Sequence, residues 1–172
     1  MDSLELTMER VLDTAALLHW PQANLTGGVC SPSQRQELGR LSEARLLMVE
    51  AADLRWMDAS PEWMVAAKTA AGETGDLPRL SDVDLDVLAL AMGLQIPLVT
   101  DDYRLQNVFN NTGGTVVPVA NKASKAVWSW QLRCTGCGDV SPVPANIKRS
   151  RNQPAGECRR CGSPMLVKRK KR

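Results

Sequence analysis

Along the first 120 positions, short apolar runs alternate with stretches whose apolar residues recur at helical spacing. Met8–Leu12 reads as a strand that stops at Asp13-Thr14, and Ala15-Ala16-Leu17-Leu18 starts a helix. Gly27-Gly28-Val29-Cys30-Ser31 reads as a turn into a short extended piece, with a helix start at Ser31-Pro32-Ser33. From Gln34 to Ala52, the residues Leu38, Leu41, Leu46, Val49 and Ala52, with the stem of Arg45, keep one face and predict a single helix. Asp53–Ala59 reads as a strand, Ser60-Pro61-Glu62 opens a helix through Ala71, and 72–78 is expected to be a loop. Ser81 is a good N-cap for the next helix, with Asp84 three residues on, and Gly93 is expected to end it. Ile96–Thr100 is a continuous apolar strand, Asp101-Asp102 precede a helix holding Gln106 and Asn107, and Thr115–Val119 is a last strand.

Strand–helix alternation with apolar strands predicts an α/β fold: a parallel sheet flanked by helices. Past residue 120 the pattern changes. Cys134-Thr-Gly-Cys137-Gly138 and Cys158-Arg-Arg-Cys161-Gly162 are two Cys-x-x-Cys pairs, twenty residues apart, each beside a glycine suited to a tight knuckle. Four thiolates at this spacing close a tetrahedral shell around Zn²⁺; a redox dithiol pair is the competing reading. The chain thus divides into a first unit of about 120 residues, long enough for its own core, and a second of about 40 that needs its metal. We place the limits at 1–124 for the α/β domain, 125–131 for a connector, 132–167 for a zinc ribbon and 168–172 for a basic tail. Cys30 is left over as an ordinary buried thiol.

Charge follows the same division. Residues 1–120 hold eight Lys and Arg against seventeen Asp and Glu, a net of −9; residues 121–172 hold thirteen against two, a net of +11. The near-neutral total of +2 hides an acidic body joined to a basic segment. Lys148, Arg149, Arg151, Arg159, Arg160, Lys168, Arg169 and Lys170 point to a polyanion, with nucleic acid favoured over a merely solvated terminus. No run of eighteen apolar residues and no signal peptide is present, so a reducing, cytoplasmic setting without membrane contact is expected.

Several acids fall where open parallel sheets place their sites, at the carboxyl ends of strands. Asp13 follows the first strand and Asp101-Asp102 the Ile96–Thr100 strand; Asp84 lies in a helix first turn and Glu37 one turn into its helix. Each alone reads as a cap or turn residue. Together they repel unless a divalent cation neutralises them, and hard oxygen ligands select Mg²⁺ or Mn²⁺.

Leu12-Asp13-Thr14-Ala15-Ala16 resembles the opening strand of a PIN-domain nuclease. The block from Leu80 to Ala91 around Asp84 and the block from Leu98 to Val108 around Asp102 resemble its later acidic motifs. Followed by Trp130-Gln-Leu-Arg-Cys134, they resemble the Nob (nin-one-binding) family more closely still: PIN-plus-zinc-ribbon endonucleases of archaeal type in this compact length. The resemblance implies a PIN-like fold and maturation of the 3′ end of small-subunit ribosomal RNA, with pre-rRNA and small-subunit pre-ribosomal proteins as partners. It also implies an acid set of Asp13, Glu37, Asp84 and Asp102, the three aspartates binding Mg²⁺ or Mn²⁺. Pro32-Ser33-Gln-Arg-Gln-Glu37 carries the second acid, with Glu43 and Glu50 as alternatives on the same helix. The spacer from Val140 to Glu157 is longer than in a compact ribbon.

Thr14 is expected to orient Asp13, touch a water or cap its helix, and Asn107 to brace the site, contact substrate or bond locally. Trp128 and Trp130 read as packing at the domain junction rather than as base-stacking platforms. His19 reads as a surface or capping residue. Two competing functions share the fold: a toxin-type PIN ribonuclease and a non-catalytic RNA-binding adaptor. A zinc-ribbon transcription or translation factor would leave the acidic blocks unexplained. The sequence does not fix the oligomeric state.

Overall fold

The structure, a computed structural model, describes residues 8–120, 128–147 and 153–170. Lys148, Arg149 and Arg151, and residues 125–127 of the expected connector, lie outside the described residues.

Five short strands form one parallel sheet: β1 (Arg10–Leu12), β2 (Gly28–Cys30), β3 (Arg55–Trp56), β4 (Leu98–Val99) and β5 (Val116–Val117), in the order β3-β2-β1-β4-β5. Seven helices connect them: α1 (Thr14–His19), α2 (Gln22–Leu25), α3 (Ser33–Leu41), α4 (Glu43–Glu50), α5 (Pro61–Thr74), α6 (Asp82–Leu94) and α7 (Tyr103–Asn111). Side chains alternate across the sheet, so neighbouring strand residues enter different cores. Val11, Val29 and Leu98 pack with α5, α6 and α7 on one face; Leu12, Cys30 and Val99 pack with α1, α3 and α4 on the other. Burial on both faces explains why the strands read as continuous apolar runs. The strand order turns back between β1 and β4, and their carboxyl ends therefore open a crevice.

Three expected elements differ. The single helix from Gln34 to Ala52 is two, because Ser42 is extended (φ −162°, ψ 105°) and its hydroxyl caps the Arg45 amide. Arg45 contributes more than an apolar stem: its guanidinium donates to the carbonyls of Leu17 and Trp20, tying α4 to the end of α1. Helix α5 continues through Gly72 to Thr74, where Gly75 caps it. Gly93 does not end α6. The helix passes through it to Leu94 and Gln95 takes the left-handed cap (φ 56°), while the indole of Trp63 lies over Gly93 so closely that a Cβ there would meet it at 2.0 Å.

The C-terminal unit is a three-stranded antiparallel sheet in the order β7-β6-β8: β6 (Trp130–Cys134), β7 (Val140–Ser141) and β8 (Met165–Arg169). Trp130 and Gln131 belong to its first strand rather than to a connector, and Lys168 and Arg169 to its last rather than to a free tail. Leu132 and Met165 close a small core over two of the cysteines, Cys134 and Cys158. Gly138 and Gly162 carry positive φ (74° and 76°), the conformation the knuckle after each Cys pair requires.

Candidate active site

Asp13 ends β1 and caps α1: its Oδ1 accepts the amides of Ala15 (2.6 Å) and Ala16 (3.2 Å). Its Oδ2 accepts the hydroxyl of Thr100, the fully buried residue after β4. The same hydroxyl oxygen accepts the Asp102 amide at 3.0 Å, so one threonine joins the two strand ends at the crevice. Asp102 in turn caps α7 through the Arg104 amide (2.8 Å). Asp84 sits in the first turn of α6 within a capping box: its Oδ2 accepts the Ser81 amide (2.8 Å), and Ser81 Oγ accepts the Asp84 amide (3.1 Å). Glu37, on α3, accepts the Thr14 hydroxyl at 2.8 Å. The expected partnership of Thr14 is therefore with Glu37 rather than Asp13.

Asp13, Glu37, Asp84 and Asp102 line a single cleft of about 260 Å³, with Thr14, His19 and Leu41 on its walls. Glu43, Glu50, Asp82 and Asp86 are not among its lining residues, and Glu50 pairs with Arg35 instead. Burial pushes the Asp13 carboxyl up to about 6, overriding its hydrogen bonds to Thr100, Ala16 and Ala15, with repulsion from Asp102 adding to the rise. Burial likewise raises Asp84 against its two bonds to Ser81, and Asp102 and Glu37 add repulsion. Four carboxylates gathered in one cleft suit a divalent cation with oxygen ligands. Their donor atoms do not form a closed shell: among the described residues, only the cysteine quartet brings every ligand atom within 4.8 Å of the others. Asp13, Glu37 and Asp84 are each braced by a side chain or cap of the fold, as ligands ahead of a metal commonly are.

Two residues near the site behave differently from expectation. Asp101 accepts the amides of Val119 and Ala120 and anchors the chain after β5. Asn107 does not reach the acidic cleft; it is buried and bonded to Asp76 and to the backbone of Trp128. Thr100 is the participant that sequence reasoning missed. A threonine ending a strand carries no signal of its own, and only the Asp13 carboxylate across the sheet gives it a role.

In the ribbon, Cys134, Cys137, Cys158 and Cys161 converge, with sulfur separations of 3.3 Å for Cys134–Cys161 and 3.7 Å for Cys137–Cys158. A ZnS₄ tetrahedron with bonds of ≈ 2.3 Å has edges of roughly 3.8 Å, so the quartet fits a tetrahedral ion. The amides of Gly136 and Cys137 point at Cys134 Sγ, and Ser163, then Cys134, pulls the Cys161 thiol down to about 6. Both favour the thiolate form a metal needs. Arg159 and Arg160 are exposed beside this site, as is Lys168 with Arg169 and Lys170 along and just past β8.

A parallel sheet in the order β3-β2-β1-β4-β5 with an acid cluster at the β1/β4 crevice fits a PIN-domain ribonuclease, and the family described as the PIN domain of ribonuclease matches residues 11–94. At full length the similarity narrows. The chain is 32% identical to Endoribonuclease Nob1 of Pyrococcus abyssi over 97% of this chain and 98% of that protein. It is 34% identical to Endoribonuclease Nob1 of Archaeoglobus fulgidus over 76% of this chain and 75% of that protein. Ribonuclease VapC1 of Thermoplasma acidophilum is 33% identical over 84% of this chain and 75% of its own length. The chain belongs to the Nob1 family of PIN-domain endoribonucleases.

Proposed function

We propose that this endoribonuclease cuts precursor small-subunit ribosomal RNA at its mature 3′ end, acting in the cytoplasm on RNA assembled with small-subunit proteins. The observation that carries the reading is the convergence of Asp13, Glu37, Asp84 and Asp102, from four separate elements, on one cleft at the sheet's crevice. These acids would hold Mg²⁺ or Mn²⁺, which when bound lowers the pKa of a water and offsets charge building on the scissile phosphate. Asp13 and Asp102 are fixed by Thr100 and by their own caps, which orients them before substrate arrives. Thr14, next to Asp13 in the chain, holds Glu37 on the cleft wall through its hydroxyl. In-line attack by water would leave a 3′-hydroxyl and a 5′-phosphate.

An acid-lined cleft repels RNA at long range, so affinity must come from elsewhere. The ribbon, closed around Zn²⁺ by Cys134, Cys137, Cys158 and Cys161, would supply it through Arg159, Arg160, Lys168, Arg169 and Lys170, with Lys148, Arg149 and Arg151 extending the track. The similarity to Ribonuclease VapC1 supports a second reading, a toxin-type ribonuclease acting on other RNAs.

Cleavage of an RNA spanning the small-subunit 3′ end, with Mn²⁺, Mg²⁺ or EDTA, separates the readings. A single metal-dependent cut at the mature end, lost in Asp13→Asn, is the expected result. Cutting of any single strand would favour the toxin-type enzyme, and tight binding without a cut would favour an adaptor.

A further inference from the structure

Asn107 lies near the middle of α7 and is 5% exposed, a position where a leucine would pack as well. Its amide is committed to another part of the chain. Nδ2 donates to the carbonyl of Trp128 (2.6 Å), and Oδ1 accepts the Trp128 amide. One side chain thus pairs both backbone groups of one residue, as a neighbouring strand would, and so fixes direction as well as position. The same Nδ2 donates to Asp76 Oδ2 (2.6 Å), a carboxylate 3% exposed that also accepts the Thr74 hydroxyl (2.8 Å).

Two residues beyond Trp128, the chain is gripped again. Gly75, left-handed at φ 77°, lies against Trp130 so closely that a Cβ would stand 2.9 Å from Trp130 Cβ and 3.0 Å from its carbonyl oxygen. The ribbon's first strand therefore leaves the nuclease domain already held at 128 by α7 and at 130 by the cap of α5. Helix α7 also begins at Asp102, five residues before Asn107 and about 8 Å away along the helix axis. One rigid helix carries a cleft acid at its start and the ribbon's grip at its middle.

We propose that Asn107 is a positioning residue: with Asp76 it clamps the ribbon to the nuclease domain, so that RNA bound by the ribbon meets the acidic cleft in one register. The effect on cleavage rests on the endonuclease reading; the clamp itself does not.

The test uses the full-length, zinc-loaded protein. In backbone ¹⁵N relaxation, amides of the two units share one rotational correlation time in the wild type. Asn107→Asp sets a second carboxylate against Asp76 and removes the donor to the Trp128 carbonyl, and the ribbon amides then tumble faster; adding Asp76→Asn relieves the carboxylate pair but returns no donor to Trp128, so the common correlation time comes back only in part. On the small-subunit 3′-end RNA, N107D binds within about twofold of wild type, kcat falls about tenfold and cuts spread to neighbouring positions, and the double variant recovers both in part. Trp128→Pro, which removes the donated N–H without touching the nuclease core, reproduces N107D, whereas Trp128→Phe, which keeps the N–H and an aromatic face for Arg169, does not. Independent tumbling of the wild-type ribbon, equal behaviour of the two Trp128 variants, or N107D cutting at the wild-type position and rate overturns the clamp. A wild type that tumbles as one body but cuts nothing would instead sink the endonuclease reading alone.

Discussion

Asp13 is 7% exposed, and its carboxylate is held among the described residues by the N–H groups of Ala15 and Ala16 and the O–H of Thr100. The folded protein holds its proton more tightly than the unfolded chain, up to about 6 from 3.8. Stability from the protonated form is therefore complete below the unfolded value and lost as pH climbs through about 6, leaving an ionised group that costs about 1–3 kcal/mol at pH 8. Asp13→Asn should raise the thermal midpoint of protein free of cleft metal at pH 8, with a gap that narrows toward pH 5; an unchanged midpoint at pH 8 would count against this. By the same linkage, Mn²⁺ affinity measured calorimetrically should fall about tenfold per pH unit below about 6 and flatten above it. Thr100→Val strands both the Asp13 Oδ2 acceptor and the Asp102 amide. It should cost about 1–3 kcal/mol of stability and weaken Mn²⁺ binding roughly 10–100-fold while leaving RNA affinity at the ribbon alone. Asp13 was legible because it ends an apolar run; Thr100 was not, because its meaning depends on a carboxylate 87 residues away.

At the scale of elements, the order of strands and helices could be read from periodicity, since both sheet faces are buried and each helix keeps an apolar side. What escaped were the ends. Ser42 was hidden in a periodic stretch because its neighbours continue the helical pattern, while its hydroxyl restarts the helix one residue later. Gly93 looked like a stop because glycine after an apolar helix usually is one; here the missing side chain makes room for Trp63 of α5. Packing decided the function of that glycine, and packing between elements distant in sequence leaves no local signature. Gly93→Ala tests this reading. If Gly93 were only a cap or a neutral helix position, alanine would be harmless or mildly stabilising; with the indole in the way it should destabilise by about 1–3 kcal/mol in denaturant unfolding. Mn²⁺ binding should be unchanged, because α6 presents Asp84 from its opposite end.

The whole molecule separates two kinds of charge that cannot share a surface. A cleft that gathers four carboxylates is a poor place to attract a polyanion, and under the proposed function the opposed nets of −9 and +11 would put RNA affinity on the unit built around the cysteines. Among the described residues that unit has a core of only a few side chains over Cys134 and Cys158, too small to fold by itself, so the proposed zinc ion would have to complete it. Replacing Cys158 with serine should therefore release zinc and unfold the ribbon, while the far-ultraviolet signal of the nuclease domain, which has its own two cores, persists. RNA affinity at low salt should drop sharply, and with it the slope of log K against log salt. For single strands the slope is about −0.7 per phosphate contacted, so a wild type holding about six phosphates would show a slope near −4, and the variant one close to zero. A variant that loses affinity yet keeps the full slope would mean that the acidic domain, against its own charge, makes the phosphate contacts.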